Sequence, residues 1–344
     1  VNVLPSYLGS SFGRKMAHDV GVEAARLSAA VGQPVHVGWN MNEEIRHGFK
    51  RPLTHHVLRG TLDAQGRVTA IEHQLASPDV VFSFAAELIP GGAFLAGLIG
   101  AEPGGALGAL ILYGNMPNRR LVYHRTPVPV PTSLWRGLGL LPNTFALESF
   151  IDELAHAAGT DPLAFRLRHL SDDPLNQRLQ AVLERVAALA RWDQPAPTGR
   201  ARGIACCYKH GTIVAQVAEV SVEINRIRVH EVTCVADPGL VINPNGARAQ
   251  AEGSIMMGLS STLLERLTVQ EGMVVAGNFD QYPLITLADT PTITVDFMES
   301  ADHPVGGMGE AAIGPIPAAV ANAVFALTGQ RLRELPLKLA AASS

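Results

Sequence analysis

The 344-residue sequence predicts an α+β fold, and three observations carry that prediction. Stretches with apolar residues at every second position, the period of a half-buried strand, recur along the chain, as in "HHVLRGTLDAQGRVTAIEHQLAS" (55–77). Stretches with apolar residues every three or four positions lie between them, as in "NTFALESFIDELAHAAG" (143–159). The two kinds do not alternate in a regular strand–helix–strand series, so mixed sheets and helices are expected rather than a wound parallel sheet.

In chain order, "VNVLPSYLGSSFG" (1–13) alternates like a strand running into a glycine-rich turn, and 15–32 has helical spacing with Gly32 closing it. "PVHVGWN" (34–40) reads as a strand. Residues 55–77 read as a hairpin turning at Asp63-Ala64-Gln65-Gly66. Residues 90–114 fit neither period. The helix at 143–159 has Asn143 as its expected N-cap and Gly159 just past its end. "DPLAFRLRHL" starts a second helix and 174–192 a third. "DQPAPTGRARG" (193–203), rich in Pro, Gly and polar residues, is the expected linker, dividing the chain into 1–197 and 198–344. Beyond it come two long alternating strands turning near Asn225, a helix over 243–265, further strands, and the terminal helix "PAAVANAVFALTG".

Composition narrows the function. Hydrophobic residues make up 47 % of the chain and charged ones 17 %, which suits a well-cored protein. A formal net charge of −4 offers no electrostatic reason for a nucleic-acid partner. The three cysteines (Cys206, Cys207 and Cys234) contain no CxxC spacing for zinc or an iron–sulfur cluster, and the adjacent pair reads as core packing. The apolar run 91–114 is interrupted by Gly, Glu and Pro, a poor membrane span but a suitable buried subunit contact. The chain begins with Val1 in what reads as a strand already under way, so it is expected to be the later part of a longer protein or one chain of a split one.

Four stretches carry chemistry, each beside a plainer reading. "YLGSSFGRK" (7–15) suits an anion held by turned backbone N–H groups, or simply a strand–helix turn. In "PTSLWRGLG" (131–139), Arg136 among apolar neighbours needs an acceptor if it is buried, and is an ordinary surface arginine if it is not. In "NPNGARAQAEGS" (243–254), Gln250 and Glu252 open onto Gly253, which points either to a ligand approaching the helix or to helix packing. Glu310 is the lone carboxylate of "HPVGGMGEAAIGPIPAAVANAVFALTG" (303–329). Flanking glycines leave room for a ligand, and apolar surroundings would favour proton acceptance, the plainer alternative being an exposed loop glutamate. His47, His55 and His56 near Glu43 and Glu44 lack metal-binding spacing.

In this order "GSSFGRK", "WRGLG" followed by "NTFALESFIDELAHAAGTDPLAFRLRHL", "NPNGARAQAEGSIMMGLS" and "GGMGEAAIGPIPAAVANAVFALTGQRLRELPL" resemble the molybdenum-binding large subunit of the xanthine dehydrogenase/aldehyde oxidase family. The branch it most resembles is the isoquinoline 1-oxidoreductase type, which includes bacterial aldehyde dehydrogenases, and the likeness covers the C-terminal half of such a subunit. The resemblance implies two intertwined molybdopterin-binding domains and a hydroxylase that oxidises an aldehyde or N-heterocycle with oxygen from water. Molybdenum would sit on a pterin dithiolene, in bacteria usually as the cytosine dinucleotide, with no direct protein ligand. The family's proton-accepting glutamate falls on Glu310, after Gly309, and its arginine near the metal on Arg136, where it would orient substrate or stabilise charge. The cofactor contacts implied are Ser11, Phe12, Gly13 and Arg14 of the first loop, Trp135 and Gly137 of the second, Gln250 and Gly253 of the helix, and Gly211, Thr212 and Gln216 bordering the same pocket. Partners implied are a small [2Fe–2S] subunit, the N-terminal half of the molybdenum subunit, and a cytochrome c or flavin acceptor, in the bacterial periplasm or at a membrane. A non-catalytic scaffold or assembly chain that retains the fold is the alternative. The chain departs from the family in reading Gly9-Ser10-Ser11-Phe12-Gly13 where GGGFG is usual, and Ala311-Ala312 where proline commonly follows the glutamate.

Overall fold

A computed structural model describes residues 4–339 except 5, 8, 83–101, 225 and 301. After a 3-10 turn at Arg14–Met16, helix α1 (Asp19–Val31) ends where Gly32 takes a φ of +68°, and α2 (Met41–His47) begins in a capping box between Asn40 and Glu43. β1 (His55–Leu62) and β2 (Val68–Ser77) form the expected antiparallel hairpin, and β3 (Asn118–Arg125) adds a parallel strand beside β2. Helices α3 (Leu140–Ala157), α4 (Pro162–Arg168) and α5 (Pro174–Leu189) follow. The last two start on Asp161 and Asp173, whose carboxylates accept from the first free N–H groups, each with Pro at a helical position that needs no donor.

The second half of the chain builds the central sheet. β4 (Arg200–Lys209), β5 (Thr212–Glu223) and β6 (Arg226–Gly239) are antiparallel neighbours; α6 (Pro244–Leu263) and a small hairpin of β7 (Val269–Gln270) and β8 (Met273–Val274) follow, and β9 (Thr292–Glu299) then returns parallel to β6. Helix α7 (Ile316–Thr328) packs on β4 and β5 from one side, while α5 packs on β5 and β6 from the other. β5 therefore lies between two helical layers, and its ten residues from Thr212 to Ser221 are buried whichever way they point. Cys206 and Cys207 enter opposite cores, as successive strand residues must. Both cores draw residues from either side of position 197. Residues 311–328, a 3-10 turn (Ala311–Ile313) followed by α7, are apolar enough to cross a membrane by length and composition, yet they are mostly packed inside the fold.

Several expectations are corrected. Neither the described residues of 4–13 nor 34–40 form a strand; both alternate in sequence but find no partner strand among the described residues, and 34–40 leads into α2 instead. The first helix begins at Asp19, not at 15. Asn143 is not an N-cap, because α3 starts at Leu140. Asn143 is instead buried and donates to the carbonyls of Gly105 and Leu107. The end of the expected linker, 200–203, is already strand β4. The first part of the ambiguous stretch 90–114, residues 90–101, lies outside the described residues, and the rest, 102–114, is turns and irregular chain.

Candidate active site

Three loops and a helix meet at a cleft of about 500 Å³, lined by parts of 10–13, 134–138 and 307–310, by Gln250 of α6, and by Lys209 and His210 at the end of β4. Each wall is set by local backbone chemistry. The first loop lies against the second so closely that a Cβ on Gly13 (φ +114°) would stand 2.4 Å from the Leu134 carbonyl oxygen, and the Phe12 carbonyl accepts from the Arg136 N–H at 2.9 Å. The β4–β5 turn has two central residues, His210 and Gly211, both at positive φ (+47° and +85°), as a two-residue hairpin on twisted strands requires. That turn fixes Lys209, paired with Thr212, as the last residue of β4.

Arg136 joins three of the walls. Its Nε donates to the Gly309 carbonyl at 2.7 Å, its Nη2 to the Gln250 carbonyl at 3.0 Å and to Gln250 Oε1 at 2.8 Å, and its guanidinium lies 5.5 Å from the Phe12 ring centre. Burial lowers the Arg136 pKa, and the charge of Glu310 acts in the opposite sense. Arg51 donates to the Arg136 and Leu138 carbonyls and so holds the second loop from outside. The plainer reading of Arg136 as a surface side chain is thus excluded: it is 7 % exposed and pins the Glu310 loop to α6.

The apolar setting expected for Glu310 is also corrected. Local neighbours are apolar, but in space the Glu310 Oε1 meets the Lys209 ammonium, and Oε2 accepts from the Gly137 N–H at 2.6 Å. Gly137 can turn that N–H inward because it sits at φ +88°, and a Cβ there would strike the Ile313 side chain at 2.5 Å. The Glu310 side chain is 27 % exposed, whereas that of Lys209 is 1 % exposed.

Of the residues the sequence points to, Phe12, Gly13, Trp135, Arg136, Gln250, Gly309 and Glu310 line the cleft, while Gly137 contributes its N–H and Gly253 borders Arg136 Nη1. Others stand behind it. Thr212 Oγ1 donates to the Gly307 carbonyl, Gly211 packs on Gly306, and Gln216, fully buried in β5, donates to the Ala312 carbonyl at 2.7 Å. Gln216 therefore supports the turn after Glu310 and does not border the cleft. Arg14 points away to Asp19, with both terminal nitrogens at about 3 Å, and to Glu44, while the Ser11 carbonyl accepts from the Arg14 N–H. Lys209, His210, Ser10, Leu134, Leu138 and Gly307 complete the walls. For Lys209 a signal does exist in the sequence. It lies two residues after Cys207, so strand alternation puts both on one face, and Cys207 touches the Ala311 carbonyl next to Glu310. Among the described residues no group of three His, Cys, Asp or Glu side chains could hold a metal ion.

The comparisons with known proteins agree with this geometry. Residues 153–291 match the model of the molybdopterin cofactor-binding domain. The chain is 32 % identical to the beta chain of isoquinoline 1-oxidoreductase from Brevundimonas diminuta, over 97 % of its own length and 42 % of that protein. It is also 32 % identical to a nicotinate dehydrogenase chain of Pseudomonas putida, over 98 % of its own length and 29 % of the relative. It thus spans less than half the length of these curated relatives. The aldehyde oxidoreductase from Desulfovibrio gigas shares the fold, with a TM-score of 0.74 at 16 % identity over 96 % of this chain and 53 % of that one.

The cleft fits a large, acceptor-rich group. Among the described residues Trp135 Nε1 is buried without an acceptor, Lys209 has a single charged partner, and a Cβ on Gly309 would meet nothing within 4 Å. Unused donors beside an open, side-chain-free wall are what a pterin and its phosphates would engage. With the domain match, the identity over nearly the whole chain and this cleft in agreement, the chain belongs to the xanthine dehydrogenase/aldehyde oxidase family of molybdopterin-binding large subunits.

Proposed function

We propose that this chain is the part of a molybdenum hydroxylase subunit that closes over the cofactor and supplies the proton acceptor for oxidation of an aldehyde or N-heterocycle with water-derived oxygen. The observation that carries the proposal is Glu310, a carboxylate held by an ammonium and a backbone N–H at the edge of a cleft with unused donors. When bound, the molybdenum–pterin group, as the cytosine dinucleotide, supplies the redox and oxygen-transfer chemistry. Phe12, Gly13, Trp135, Gln250 and Gly309 would hold it. A carboxylate offers about four lone-pair positions. Two are taken by Lys209 and Gly137, so each Glu310 oxygen keeps one free to take up a proton in the cleft. Arg136 fixes the Gly309 carbonyl and with it the direction of the Glu310 side chain. The names of the relatives, isoquinoline and nicotinate oxidoreductases, favour an N-heterocycle. Electrons would leave through a separate [2Fe–2S] subunit, with the N-terminal part of the molybdenum subunit completing the cradle.

The test is elemental analysis of the purified complex, with the nucleotide released from its pterin identified, joined to Glu310→Gln. About one molybdenum per chain, and turnover lowered roughly 10²–10⁴-fold in the metal-loaded variant, are expected. Near-normal turnover in the variant removes the base assignment. Absence of molybdenum from matured protein favours a scaffold chain, the reading to which Ser10 on the cleft wall lends itself.

A further inference from the structure

Lys209 is the least exposed charge near the cleft, and its environment is unusual. It ends a strand that is buried from Gly203 to Cys207, its side chain is 1 % exposed, and Glu310 is its single charged partner among the described residues. No other side-chain or backbone acceptor satisfies its ammonium among those residues. A lysine placed for stability alone would be expected to collect carbonyls, as Lys50 does from Gly48. Lys209 is instead held by the rigid two-residue turn behind it so that its ammonium reaches one oxygen of one carboxylate.

We propose that Lys209 is a positioning residue for Glu310. Its ammonium takes Oε1 while the Gly137 N–H takes Oε2, and two points of attachment fix both the rotation of the carboxylate and the direction in which its free lone pairs face the cleft. The loop carrying Glu310 has glycines at 306, 307 and 309 and little stiffness of its own. Without the ammonium the carboxylate keeps one attachment and turns about it. The role rests on the proposed reading of Glu310 as the proton acceptor.

The asymmetry of exposure supplies a test independent of turnover. Glu310 without Lys209 turns to water, whereas Lys209 without Glu310 is a sealed cation with no counter-charge. Thermal unfolding of the assembled complex carrying Lys209→Met, Glu310→Gln or both should therefore place Glu310→Gln lowest, with the double variant melting above it. A double variant melting below the native complex by the sum of the two single losses overturns the coupling. In the metal-loaded enzyme, Lys209→Met should lower kcat about 10–100-fold with KM little changed. Lys209→Arg should restore most of that loss, and Lys209→Met should cost nothing further in the Glu310→Gln background. Full kcat in Lys209→Met beside an inactive Glu310→Gln removes Lys209 alone. Normal turnover in Glu310→Gln removes the base itself, and this role with it.

Discussion

Two pairs of a cation and a carboxylate lie along strand β4, and they are built on opposite plans. In the first, Glu148 on α3 accepts from Tyr113 Oη at 2.7 Å, from Arg166 Nε at 3.0 Å and from the Cys206 N–H at 3.1 Å, while Arg166 gives its remaining nitrogens to the Glu148 and Pro162 carbonyls. Both side chains are essentially unexposed. In the second, three residues further along at the end of β4, Glu310 and Lys209 satisfy each other only partly and open onto the cleft. A charge network whose donors and acceptors are all used locks elements together; one that keeps capacity in reserve has something left to bind. The sealed pair joins α3, α4 and β4, and the open pair faces the cleft.

The sealed plan implies the largest structural cost on disruption. Glu148→Ala leaves the Arg166 guanidinium unpaired in the core together with a tyrosine hydroxyl and a strand N–H, and a destabilisation of about 3–5 kcal/mol is expected. Denaturant unfolding of the complex measures it. Replacing Glu148, Arg166 and Tyr113 together by Leu, Met and Phe should recover much of the loss, because the desolvated charges go as a group. If Glu148→Ala costs less than a surface substitution, the pair is not sealed and the contrast with Glu310 fails.

Arg136 tests the open side. It touches no carboxylate directly among the described residues, and its bonds run to the Gly309 and Gln250 carbonyls and to Gln250 Oε1. Arg136→Ala should therefore cost roughly 1–3 kcal/mol through the buried carbonyl left unpaired and should speed amide exchange over 306–312 while β5 stays protected. Arg136→Lys should rescue only part, since an ammonium cannot reproduce the guanidinium fork. Unchanged exchange in Arg136→Ala would mean the loop is held by Thr212 and Gln216 from behind.

Much of this was legible in the sequence wherever the cause is local. Asp161, Asp173 and Asn243 cap the helices that follow them, Gly32, Gly159 and Gly329 end helices in left-handed backbone, and Asp63 to Gly66 turns a hairpin. What escaped depends on distant segments. β3 pairs with β2 across about 40 residues, and no periodicity announces that; the alternation at 34–40 has no strand to meet among the described residues. Glu310 looks isolated in an apolar run because the partner that defines it, Lys209, lies on a distant strand. Arg136 was readable as a residue needing acceptors, but not as one whose acceptors are carbonyls of the loop it serves.

The smallest expected effect extends the contrast to an uncharged pair whose hydrogen bonds are all used, with His73 buried and His56 partly so. His56 Nδ1 faces His73 Nε2 at 3.0 Å, His56 Nε2 faces Thr54 Oγ1 at 2.9 Å, and His73 Nδ1 faces the Ala109 carbonyl at 3.3 Å. One chain of donors satisfies all of them when both rings are neutral: His73 Nδ1–H to Ala109, His56 Nδ1–H to His73, and the Thr54 hydroxyl to His56. Burial pushes His56 down to about 3 and lowers His73 as well. The folded pKa lies below the unfolded value of about 6.5, so the unfolded chain takes up the proton first. The pair's stabilisation is complete above that value and is lost as pH falls toward the folded value, by at most about 1.4 kcal/mol per pH unit for His56. Melting temperatures measured between pH 8 and 5.5 should fall more steeply for the native complex than for His56→Gln, which cannot titrate. Parallel curves would mean that His56 reaches water, and that full satisfaction of hydrogen bonds does not by itself mark a sealed site in this fold.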